Sequence, residues 1–142
     1  MIQKIREVEI MDRNRLERGA ERLEQMRHNS GICSRLDEVS PELSRYIREF
    51  AFGDVHSREG LSARDHELVI IAGICTLGHA PVELKSHINM GLNAGLTRQE
   101  ILEIFIQLAV YAGFPAAVNA TFVAAEVFAE CDREKEGNET VR

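Results

Sequence analysis

Glu67 and His87 are the two residues of this 142-residue chain best placed by type and setting to move protons. Glu67 stands at the entrance of a long hydrophobic run, and His87 lies between Leu84 and Ile88 in a helical pattern. Each is polar where an apolar neighbour is expected. Burial raises a carboxyl pKa and lowers that of an imidazole. Brought together, the two would stabilise each other's charge and supply a proton donor or acceptor near neutral pH. The plainer alternative, in which each caps or rims the core, stays open at this point. Glu83, four residues before His87, shares its helix face. A metal could be proposed from that pair, but no third ligand is evident and a surface contact is the simpler reading, so no metal is expected.

Further candidates surround these two. His56, Arg58 and Arg64 flank a polar loop, where an arginine could hold a substrate carboxylate through two parallel hydrogen bonds or remain a solvated charge. Tyr111, beside Gly113-Phe114-Pro115, is either a buried hydroxyl with a local partner or a donor lining a pocket. His79, after Gly78, reads as a helix-end cap. Cys75, inside the apolar run with no basic neighbour, reads as an inert core thiol.

The elements that must position these residues are helical. Asp12 sits where a cap would precede a charged helix through about Arg27, whose apolar stripe is Leu16, Ala20, Leu23 and Met26. Residues 1–12 form an arm ahead of it or an extra helical turn. His28 to Gly31 break the helix, and a linking stretch follows. Ser40-Pro41 opens another helix, with Leu43, Ile47, Phe50 and Ala51 inward. Gly53 is expected to end that helix, and Gly53 to Gly60 to form a loop. Ser62 caps the next helix, and the ten residues Leu68 to Leu77 read as its buried body, since no strand pattern lies beside them. Pro81 starts a helix that Gly95 closes. Thr97-Arg98-Gln99-Glu100 is a capping box for the next. Gly113-Phe114-Pro115 breaks the chain before a last helix rich in alanine, and 132–142 reads as a charged flexible tail.

This predicts an all-α fold of five to six helices, one domain over 13–131. Several helices are apolar over more than one stripe, which a chain this short can hardly cover alone, so a subunit interface is expected. The charge of −6, from 17 basic and 23 acidic residues, argues against a nucleic-acid partner. Cys33, Cys75 and Cys131 are far apart, with no CxxC, which suits a reducing, cytoplasmic setting. The first residues lack the apolar core of a signal peptide. No apolar run reaches the length of about 18 residues that a membrane span requires.

Four stretches carry a resemblance: Phe50-Ala-Phe-Gly-Asp-Val-His-Ser-Arg58, Arg64-Asp-His-Glu-Leu-Val69, Leu84-Lys-Ser-His-Ile-Asn-Met-Gly-Leu-Asn-Ala-Gly95 and Gln107-Leu-Ala-Val-Tyr-Ala-Gly-Phe-Pro-Ala-Ala-Val-Asn119. Together, over about Arg13 to Glu130, they resemble the carboxymuconolactone decarboxylase family. The resemblance implies an all-α subunit of the alkylhydroperoxidase D-like type, assembling as a homotrimer or homohexamer. The redox branch of that family carries a glutamate, a CxxC and a histidine four residues after the second cysteine. Aligning that histidine with His87 puts Ala80 and Glu83 at the cysteine positions and Glu67 near the glutamate. The carboxylate and imidazole are kept and both thiols are absent, so a peroxiredoxin-like label would describe ancestry, not CxxC chemistry.

What remains is similar to the decarboxylase branch, which acts on a small carboxylated lactone such as 4-carboxymuconolactone without a cofactor. The resemblance gives His87 and Glu67 the catalytic roles, with Arg58, His56, Arg64 and Tyr111 as candidate substrate contacts. The alternatives are a decarboxylase or isomerase of another small lactone or oxo-acid, or a non-catalytic small-ligand-binding oligomer. Glu67 and His87 within contact reach would favour catalysis; the two facing different sides would favour the binding protein.

Overall fold

The computed structural model describes residues 2–26 and 32–139, with side chains from residue 14 and up to residue 138. Among the described residues every regular element is a helix, and no strand occurs. Seven α-helices are α1 (Ile2–Gln25), α2 (Ile32–Val39), α3 (Pro41–Tyr46), α4 (Ala63–Leu77), α5 (Pro81–Asn93), α6 (Arg98–Ala112) and α7 (Phe114–Glu139), and a π-helix spans Ile47–His56 between α3 and α4. None of them is long and apolar enough to cross a membrane. The chain packs as two compact units, the first ending at Ala63 and the second beginning at Arg64.

In the first unit α1 packs along the π-helix through glycine. A Cβ on Gly19 would stand 1.8 Å from the Arg48 carbonyl oxygen, and one on Gly53 would stand 2.3 Å from that of Arg15. Basic side chains of α1 then reach across. Arg15 Nε donates to Asp54 Oδ2 at 2.8 Å, Arg18 Nε to the Gly53 carbonyl at 3.2 Å, and Arg22 Nε to His56 Nδ1 at 2.9 Å. Gly53 therefore does not stop the helix, although its type predicts that it would. Its missing side chain serves the close approach, and the helical path continues through His56, so the loop is only the stretch after it.

Three other boundaries differ from expectation. Asp12 lies inside α1 and not at its cap, because Ile2, Ile5 and Val8, three apart, already follow helical spacing. The linking stretch before Ser40 contains α2, whose Cys33 is buried. Residues 132–139 extend α7 where a loose tail was expected, and Arg98 forks onto Asp132 with contacts of 2.6 and 3.1 Å while lying over the Phe128 ring. The break expected at His28 to Gly31 lies outside the described residues.

Arg48 also clamps Asp37 of α2, Nη1 to Oδ1 at 2.8 Å and Nη2 to Oδ2 at 2.7 Å. Those hydrogen bonds, with a smaller one from Ser44, lower the Asp37 pKa to about 2. A carboxyl whose folded pKa lies below its unfolded value of about 3.9 stabilises the fold above that value and stops doing so as pH falls toward about 2. Arg48→Met should therefore unfold more easily than the native chain at neutral pH. The difference between their urea midpoints should shrink between about pH 4 and pH 2, and a difference unchanged across that window would show that the clamp contributes nothing.

The second unit holds the main apolar core. Ile71 and Cys75 of α4, Leu84 and Ile88 of α5, Ile101, Ile104 and Phe105 of α6, and Ala117, Ala120, Ala124 and Val127 of α7 pack together, with Leu96 from the α5–α6 turn. Alanine at 117, 120 and 124 lets α7 lie close against α5 and α6. The run Leu68 to Leu77 is a helix, as the absence of any pairing strand required. The turns follow the sequence signals: Pro81 opens α5, Gly95 (φ +100°) closes the turn after it, and Gly113 (φ +92°) separates α6 from α7. The capping box is complete, with Glu100 N donating to Thr97 Oγ1 at 3.1 Å and Thr97 N to Glu100 Oε2 at 2.8 Å.

Candidate active site

Glu67 projects from the inner face of α4, in line with Ile71 and Cys75 at helical spacing, and is 0% exposed. A carboxyl there needs partners, since burying an unpaired charge is very costly. One is His87, whose Nδ1 stands 2.9 Å from Glu67 Oε2. Among the described residues no buried side-chain nitrogen or oxygen lacks a hydrogen-bond partner, so the carboxyl is fully engaged. His87 comes from α5, one helical turn past buried Leu84, and its side chain is 18% exposed. The site is thus a buried acid holding an imidazole that keeps one edge toward the surface.

Gly91 makes the approach of α5 to α4 possible. A Cβ there would meet Leu96 at 2.9 Å, Ile71 at 3.0 Å and the Glu67 Cβ at 3.7 Å. Sequence reasoning passed over this residue, although a glycine inside a helical pattern is a known signal of close packing.

The other candidates are placed as follows. Arg64 lies on the first turn of α4, three residues before Glu67. Its guanidinium is bonded to Glu100 of α6, with Asp65 at 3.7 Å. Glu100 is held low in pKa first by the Thr97 backbone N–H and further by Arg64, so Arg64 is tied to the α6 cap. Tyr111, expected to be buried or to line a pocket, is 79% exposed at the end of α6. His56 and Arg58 belong to the first unit. His56 is buried to 3% exposure, stacked on Phe52 with ring centroids 5.5 Å apart, and accepts from Arg22 at Nδ1. In that unit it serves the α1 packing. Arg58 is exposed in the turn after the π-helix. Cys75 is buried in the core, and burial pushes its thiol pKa up, in keeping with an inert residue. His79 caps the end of α4 as expected, Nδ1 donating to the Leu77 carbonyl at 2.6 Å. Glu83 is exposed, and no three His, Cys, Asp or Glu side chains among the described residues converge in a way that could hold a metal.

Fold and site together define an all-helical protein built around a buried carboxylate–imidazole pair. This chain belongs to the carboxymuconolactone decarboxylase family, which residues 41–126 match, both members of the pair included. It is 34% identical over 102 residues to 4-carboxymuconolactone decarboxylase of Acinetobacter baylyi, covering 72% of this chain and 75% of that one. A 15.0 kDa protein from the nqo9–nqo10 intergenic region of Paracoccus denitrificans is 33% identical over 100 residues, 70% of this chain and 75% of its own. Nitrosuccinic acid decarboxylase npaB of Metarhizium robertsii is 35% identical over 77 residues, 54% of this chain and 53% of that protein.

Proposed function

We propose that the chain is a cofactor-independent carboxy-lyase acting on a small carboxylated lactone such as 4-carboxymuconolactone. The observation that carries this reading is the 2.9 Å contact between His87 and the wholly buried Glu67. Relatives named for decarboxylation of 4-carboxymuconolactone and of nitrosuccinic acid support it.

The chemistry needs little from the protein. In such a lactone the departing carboxylate is conjugated through a C=C bond to the lactone carbonyl. The C–C bond breaks, CO2 leaves, and its bonding pair passes into the carbonyl as a dienolate. A proton must then reach carbon. With Glu67 ionised, the proton of the shared contact stays on Nδ1, which leaves Nε2 as the nitrogen that faces a substrate. When Nε2 also carries a proton, His87 gives that Nε2 proton to carbon or hydrogen-bonds the dienolate oxygen with it, and water returns a proton to Nε2. Glu67 acts through His87, orienting the ring by its hydrogen bond to Nδ1. Arg64 holds a second carboxylate, for which the substrate must compete with Glu100.

The deciding experiment is incubation of the purified chain with 4-carboxymuconolactone while its absorbance and CO2 release are followed. Turnover supports the reading. The nitrosuccinate-directed relative makes that acid the second substrate to try, and no CO2 release from either would end it.

Self-association is part of the same proposal. Ile106, Val110 and Tyr111 of α6 and Phe114 and Val118 of α7 are large apolar or aromatic side chains left exposed around the α6–α7 corner. Large apolar side chains left exposed in this way are what an interaction surface would cover. A second copy of the chain is the proposed partner, in a homotrimer or homohexamer, and sedimentation at micromolar concentration should find no stable monomer.

A further inference from the structure

A cavity of about 340 Å³ opens where the end of α4, the start of α5 and the first half of α7 meet. Neither Glu67 nor His87 lines it. Its volume falls at the lower end of the range of small-molecule pockets, roughly 300–1,000 Å³. Cys75, Leu84 and Ala120 are buried lining residues, and His79, Asn119 and Phe122 are exposed ones. No Asp, Glu, Lys or Arg lines it, so nothing there would compensate a phosphate or a dicarboxylate.

Two polar side chains on the rim narrow the choice further. His79 must donate from Nδ1, because its partner at 2.6 Å is the Leu77 carbonyl. In the neutral ring Nε2 is then a hydrogen-bond acceptor. The Asn119 carboxamide offers both a donor and an acceptor. A hydroxyl is the group whose chemistry matches both, a donor for His79 and an acceptor for Asn119, while a ring suits the apolar interior.

The geometry points to a second small-molecule site here, for a neutral six-membered ring bearing a hydroxyl, separate from the Glu67–His87 pair. It stands independently of the decarboxylase reading. Phenol is the probe. Ligand-observed NMR on the full chain should show saturable phenol binding. His79→Ala and Asn119→Ala, both at exposed positions outside the core, should each raise its Kd about fivefold, the worth of one hydrogen bond. Anisole, which can accept but not donate, should bind to the native chain no better than phenol binds to His79→Ala. Ala120→Leu, which fills the interior, should abolish binding; because Ala120 is a core residue, the two rim variants decide the matter if that one fails to fold. His87→Gln should bind phenol as the native chain does. The site is refuted by the absence of saturable binding, by an unchanged Kd in both rim variants, or by loss of binding in His87→Gln.

Discussion

His87→Gln should lower kcat for 4-carboxymuconolactone by roughly 100- to 10,000-fold, the range a positioned acid or base supplies, with little change in fold. Glutamine is the informative replacement. Its side-chain N–H can still donate to Glu67, so the buried carboxylate keeps a partner and the core is not left with a naked charge. What is lost is a group that can give a proton to carbon and take another from water. Circular dichroism and urea unfolding should therefore barely move while turnover collapses. Glu67→Gln separates the partner's role. It retains shape and hydrogen bonding but removes the negative charge that faces the ring. Its kcat should fall by about tenfold or more. Its KM should stay near the native value, a split that a merely structural glutamate would not produce. A His87→Gln enzyme with native kcat, or a Glu67→Gln enzyme with native kcat, would each remove the corresponding assignment.

The pair could be read from the sequence because each member violated its local pattern. A carboxylate at the mouth of Leu68 to Leu77 and an imidazole between Leu84 and Ile88 both needed an explanation, and one contact supplies it. Helix starts with side-chain or proline signals were legible for the same reason: Thr97 with Glu100 and Pro81 act locally, within one turn of themselves. Residues whose role is set by distant chain were not legible. Gly53 looks like a terminator in isolation and becomes a packing surface only once Arg15 lies against it. His56 looks like a loop side chain until Arg22, 34 residues earlier, covers it. Arg64 looks like an open cation until Glu100 is brought across from α6. Tyr111, read as either a buried hydroxyl or a donor lining a pocket, is exposed at the end of α6 in the single chain.

Gly19→Ala and Gly53→Ala should each destabilise the first unit by about 2 kcal/mol net, although both replace glycine with a better helix former. At an open helical site the exchange favours the folded state by about 1 kcal/mol. Gly73, in α4, is such a site, since a Cβ added there would meet nothing within 4 Å, and Gly73→Ala should stabilise by that amount. At Gly19 the added carbon would lie 1.8 Å from the Arg48 carbonyl oxygen and 2.7 Å from its carbon. Both are backbone atoms, so no side chain can swing away, and α1 must lift from the π-helix. Lifting also stretches the contacts flanking the crossing, Arg15 and Arg18 to Asp54 and Arg22 to His56. Arg15 holds the Asp54 carboxyl below its ordinary pKa, a sign that the pairing is felt. The gain in propensity is thus outweighed about threefold by the collision. Hydrogen exchange should report the damage locally, with amides of 14–26 and 47–56 losing protection before those of α6 and α7. A Gly19→Ala chain as stable as the native one would mean that the two helices do not meet at this distance.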